Sequence, residues 1–134
     1  MTLREAIDRF DLLYPNALPY PAKLKILSDL DGRLYAQVLS GYENAPAAFS
    51  GYTEATPADT ALLARFPYDD IYVKALCAEN DAVNGDIARY NNAAATFNAA
   101  WEQYANHVNR TCRRKAAPHL HFADQGVGEC AILT

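Results

Sequence analysis

Apolar side chains recur along this chain at helical spacing. Thr2-Leu3-Arg4-Glu5 has the form of a capping box, and Leu3, Ala6, Ile7, Phe10, Leu13 and Tyr14 follow on one face, so a helix is predicted over 2–14. Pro15 ends it by removing an amide donor. Pro21 fits the first turn of a second helix, in which Leu24, Leu27, Leu30 (or Asp31), Leu34 and Val38 extend the pattern over 20–40, with Gly41 as its C-terminal cap. Residues 42–67 carry no sustained period and are rich in turn formers. So long an irregular connection serves as an interface arm or folds back over the helices. From Tyr72 through Leu76, Glu79, Val83, Ile87, Tyr90, Ala94, Phe97, Trp101 and Tyr104 to Val108 the step is three or four. That pattern predicts helix through most of 69–112, as one rod or as two helices broken at Asn84-Gly85 or Asn91-Asn92. Phe97 and Trp101 are expected to be buried against the first two helices. Leu62–Phe66 and His119–Phe122 look extended, and the end from Asp124 onward has the character of a disordered tail.

Composition agrees with this pattern. The chain has 134 residues, with 25 alanines and 14 leucines against 5 valines and 5 isoleucines, which favours helix over strand. The expected class is mainly α, a helical bundle with a long C-terminal helical segment and irregular arms. It divides into a helical domain over 1–112 and a tail over 113–134. A 51% hydrophobic content excludes intrinsic disorder, and no apolar run is long enough for a bilayer. Charged residues at Arg4 and Glu5 disfavour a secretory leader.

Charge separates the tail from the rest. Residues 1–104 hold 8 bases and 14 acids, whereas Arg110, Arg113, Arg114 and Lys115 give the last thirty residues a net +2. Such a cluster complements a helix C-terminus, or meets an acidic partner surface or a DNA backbone. Arg113, Arg114 and Lys115 are therefore candidate partner contacts, as are the aromatics Tyr42, Phe49 and Tyr52 of the irregular segment.

Candidate chemistry is sparse. Cys77, Cys112 and Cys130 form an odd set without a CxxC pair and are expected to be reduced thiols. His107, Cys112, His119, His121 and Cys130 are possible metal ligands, but the short-spaced pairs of zinc sites are missing and no metal is expected. Asp69-Asp70 just after Pro67 suits a helix start better than acid–base catalysis. The chain has no nucleotide or hydrolase fingerprint, and neither catalytic residues nor cofactor are expected.

Several short segments nevertheless resemble one family. Phe66-Pro67-Tyr68-Asp69-Asp70-Ile71-Tyr72, Asn84-Gly85-Asp86-Ile87-Ala88-Arg89-Tyr90-Asn91-Asn92, Phe97-Asn98 and Asn109-Arg110-Thr111 resemble small structural proteins of tailed bacteriophages and prophages, the head–tail connectors or adaptors. Phe10–Asn16 and Leu27–Asp31 are similar to that group's opening helices, so the likeness covers most of 3–111. It departs from the pattern at the end of the last helix, where His107-Val108 and Cys112 stand. The resemblance implies a non-enzymatic virion component, present in the bacterial cytoplasm during assembly. It would form an oligomeric ring below the portal protein and contact a tail or stopper protein, with direct DNA contact left open. The alternatives are a small helical regulatory or binding module from a mobile element and, more remotely, a metal-dependent enzyme.

Overall fold

The computed structural model describes residues 1–115 and 130, and these form a mainly helical bundle. Helix α1 runs Leu3–Leu13, α2 Tyr20–Leu34, α3 Ile71–Val83 and α4 Ile87–Thr111. Helix α2 continues as one π-helical turn, Tyr35–Leu39, in which the Ser40 amide donates to the Tyr35 carbonyl. The second predicted helix therefore reaches the expected length but ends without a left-handed Gly41, whose carbonyl accepts from Lys115 N–H at 2.9 Å.

Local chemistry sets the helix ends. The capping box closes in full, with Glu5 N–H donating to Thr2 Oγ1 at 3.2 Å and Thr2 N–H to Glu5 Oε1 at 2.9 Å. The long C-terminal pattern breaks at the first of its two candidate places. Gly85 takes φ +73°, a left-handed conformation that costs glycine little, and Asp86 caps α4 by accepting from Arg89 N–H at 3.0 Å. Asn91-Asn92 lies inside α4. Asp70 stands at the start of α3 but makes no side-chain cap bond; it pairs with Lys74 at 2.8 Å, and Asp69 lies 3.6 Å from the Met1 ammonium.

Helices α1 and α2 are joined by Lys23. Its ammonium is 2.6 Å from Asp11 Oδ1 and sits over the Phe10 ring. Burial pushes the Asp11 carboxyl upward, but the bonds from Lys23 and Asn16 outweigh it and hold the group below its usual range. Helix α3 packs on both α1 and α2, and α4 folds back along α3. Leu3, Ile7 and Phe10 from α1 meet Leu24, Leu27 and Leu34 from α2, Ile71, Tyr72 and Leu76 from α3, and Tyr104 and Val108 from α4.

The segment after the π turn is irregular, as predicted, but it is folded back rather than extended as an arm. Leu62 and Ala64 are buried, Leu62 N–H donates to the Met1 carbonyl, and Leu3 N–H donates to the Thr60 carbonyl. The extended expectation for 62–66 reduces to an isolated bridge between Thr2 and Ala61, and the Phe66–Pro67 peptide is cis. Gly51 is required here: its φ is +88°, and a Cβ would stand 2.9 Å from Ser28 Oγ, which holds Tyr52 N–H.

Two further expectations change. Cys112 and Cys130 are joined in a disulfide with Cα atoms 4.7 Å apart, so only Cys77 is a free thiol. Cysteine spacing does not report which thiols the end of α4 brings together. Phe97 and Trp101 are half-buried instead: Phe97 lines an open groove between α2 and α4, and Arg33 covers Trp101 with its guanidinium 5.0 Å from the ring centre. The expected extended piece at His119–Phe122 lies outside the described residues, as does all of the expected disordered tail except Cys130.

Candidate functional site

The chemically densest point is a buried carboxylate. Asp31, on the inner face of α2, is fully buried. Its Oδ1 accepts from Tyr72 Oη at 2.5 Å, and its Oδ2 accepts from Tyr52 Oη at 2.5 Å and from Leu63 N–H at 3.0 Å. Tyr72 Oη in turn accepts from Ala64 N–H at 2.7 Å. One acid thus fastens the 42–67 segment to α2 and α3. Burial pushes the Asp31 carboxyl above its usual range against the pull of these bonds, and burial together with the Asp31 charge drives Tyr52 and Tyr72 upward. Tyr104 is shifted the same way, and its buried hydroxyl has no hydrogen-bond partner among the described residues.

This arrangement fixes a pH dependence. The unfolded chain ionises its tyrosines near pH 10, while the fold keeps Tyr52, Tyr72 and Tyr104 neutral above that value. Their stabilising contribution is complete below pH 10 and is lost as the pH rises beyond it. Asp31 acts in the same sense in acid: its contribution is complete below about 3.8 and disappears as the pH rises through its raised folded value. Urea midpoints should therefore fall steeply above pH 10, and Tyr72→Phe should flatten that limb. An alkaline slope unchanged in Tyr72→Phe would show that Tyr72 ionises as freely in the fold as in the unfolded chain.

The nominated contact residues are placed unevenly. Tyr42 is only 5% exposed; its hydroxyl donates to Asn109 Oδ1 at 3.0 Å and its ring lies under the Arg114 guanidinium, so it is a core residue and not a presented anchor. Tyr52 is engaged by Asp31, and Phe49 meets the Tyr52 ring edge-on at 5.1 Å. Arg114 also donates to Asn109 Oδ1, the Arg113 carbonyl accepts from Glu43 N–H, and Lys115 N–H reaches Gly41. The start of the basic tail is thus paired along 41–43, with the Arg113, Arg114 and Lys115 side chains at the surface. Among the candidate metal ligands, Cys112 and Cys130 are tied up in the disulfide and His107 stacks on Tyr68 at 4.7 Å; His119 and His121 lie outside the described residues. Among the described residues no three metal-ligating side chains converge, and no helix is long and apolar enough to cross a membrane.

A different surface stands out. Of the seven large apolar side chains exposed to solvent among the described residues, Phe66 stands before α3, and the other six, Leu12, Leu13, Tyr20, Val83, Ile87 and Tyr90, lie where α1 ends, α2 begins and α3 turns into α4. Leu12 is 85% exposed and Ile87 74%. On the α2 side of the α3–α4 hairpin is an open groove of about 510 Å³, walled by Ile26, Leu30, Ala78, Val83, Tyr90 and Phe97. A smaller one, on the α1 side, is lined by Tyr14, Lys74, Cys77 and Arg89. Apolar exposure gathered at one end is the mark of an interaction surface. The 3.6-residue period runs through Val83, Ile87 and Tyr90 without a break, yet all three are exposed, and the chain turns between them at Asn84-Gly85-Asp86. Set against known proteins, the chain matches no family model, no curated protein and no solved structure.

Proposed function

We propose that this chain is a non-enzymatic structural subunit of a tailed-phage or prophage particle, a head–tail connector that assembles as a ring below the portal. The observation that carries this reading is the concentration of exposed apolar side chains at the hairpin end, a surface suited to contacts between proteins. The connector-like segments supply the biological setting, and three of them, around Tyr68, Asn84–Asn92 and Phe97-Asn98, belong to the α3–α4 hairpin or lead into it. The disulfide is compatible with a released particle, since such bonds persist on virion surfaces. The contacts to the portal belong to the basic end of α4 and the hairpin, because Tyr42 and Tyr52 of the 42–67 segment are engaged within the chain by Asn109 and Asp31.

Co-sedimentation with portal rings from the same phage or prophage tests this reading. Saturable binding is expected, with Lys115→Glu slowing association at low salt more than it weakens final affinity, as for a steering charge. Absence of binding at any salt concentration would replace the connector reading with the small helical binding module.

A further inference from the structure

The Cys112–Cys130 bond closes a ring of chain at the end of α4. Cys112 follows the last residue of α4, is 9% exposed and belongs to the core, and Cys130 rests partly buried against the same core. The two are 18 residues apart, so the ring includes Arg113, Arg114 and Lys115. These three pair with 41–43. Glu43 N–H donates to the Arg113 carbonyl at 2.8 Å, Lys115 N–H donates to the Gly41 carbonyl at 2.9 Å, and the Arg114 guanidinium lies 5.1 Å from the centre of the Tyr42 ring. Two backbone bonds alone order more chain than they reward. The second anchor at Cys130 lowers the entropy that the ring would gain by lifting off.

The site is also furnished for the reduced state. Thr111 Oγ1 donates to the His107 carbonyl at 2.7 Å and lies 3.7 Å from Cys112 Sγ. Its own proton is thus engaged, and a disulfide sulfur has none to give, whereas a Cys112 thiol has a proton for that oxygen. The remaining cysteine, Cys77, lines the small groove with Asn92 and Thr96, several turns of α4 away from Cys112.

We infer that this disulfide is a redox-operated strap: closed, it holds the residues after α4 on 41–43, and opened by a dithiol reductant, it releases them and bares the Tyr42 ring. In the exchange a reductant thiolate attacks Cys130 Sγ, the less buried sulfur, and Cys112 departs as a thiolate that takes up a proton. The second thiol of the reductant then displaces Cys130. Two electrons and two protons pass to the cysteines, and the reductant is left as a disulfide. Arg114 and Lys115 move with the strap, so the bond governs how the basic end of α4 is presented. The inference concerns the chain alone and does not rest on the connector reading.

Amide hydrogen exchange by NMR on the full chain tests it in three states: oxidised with glutathione disulfide, reduced with dithiothreitol, and as Cys130→Ser. The oxidised sample, denatured, should show one titratable thiol, that of Cys77. Reduction should speed exchange at the Glu43 and Lys115 amides by roughly 10- to 100-fold, the scale of opening a loop of this size, and leave the Leu27 and Leu76 amides unchanged. Cys130→Ser should reproduce this without reductant, and reoxidation of the wild type should restore protection. Three thiols in the oxidised sample, seam amides indifferent to reduction, an equal loss at Leu27 and Leu76, or a loss that reoxidation does not reverse would each overturn the inference.

Discussion

Replacing Asp31 with alanine should lower the unfolding free energy by about 3–5 kcal/mol, the largest single-residue loss expected in this protein. The substitution leaves two tyrosine hydroxyls and the Leu63 amide without their acceptor. Relief of the cost of burying a carboxylate offsets part of that loss. Asp31→Asn should cost less, about 1–2 kcal/mol, because an amide oxygen in the Oδ2 place keeps the Tyr52 and Leu63 bonds and orphans only the Tyr72 donor. Urea unfolding at neutral pH measures both. Losses below about 1 kcal/mol for the alanine variant would mean that the carboxylate's own desolvation cancels its three hydrogen bonds.

The next largest effect belongs to Phe10. It is fully buried in α1, beside Tyr14 and beneath the Lys23 ammonium, so Phe10→Ala should cost about 3–5 kcal/mol. The helical period alone assigns that penalty to Phe97. Phe97 is half-buried on the wall of an open groove, and its truncation should cost about 1–2 kcal/mol. Equal shifts in the two variants would place Phe97 in the core after all.

These two residues illustrate what a sequence discloses. The start of α1 is legible because a capping box is a local matter, settled by four consecutive residues. The mainly helical class follows from composition and from a period that holds over many turns. Which face of a helix meets another element is not local. The stripe from Val83 to Tyr90 has the same period whether or not another element packs on it. Tyr42 and Tyr52 were open to either reading, as anchors or as aromatics folded inward, and the matter turns on Asn109 and Asp31, 67 and 21 residues away along the chain. The disulfide is a case of the same kind, since 18 residues separate its partners.

The seam where Gly41, Tyr42 and Glu43 meet Arg113, Arg114 and Lys115 has a consequence for biosynthesis. The pairing joins a point about one third along the chain to a point near its end. During translation α1 and α2 emerge first, and the Tyr42 ring finds no lid until the residues after α4 have left the ribosome. The amino-terminal hairpin must therefore wait, with its inner apolar face uncovered, for most of the chain to be made. Contacts this distant in sequence slow folding, because a long loop has to close before the contact contributes anything. A nascent chain in that interval is a natural client for chaperones that bind exposed apolar helices.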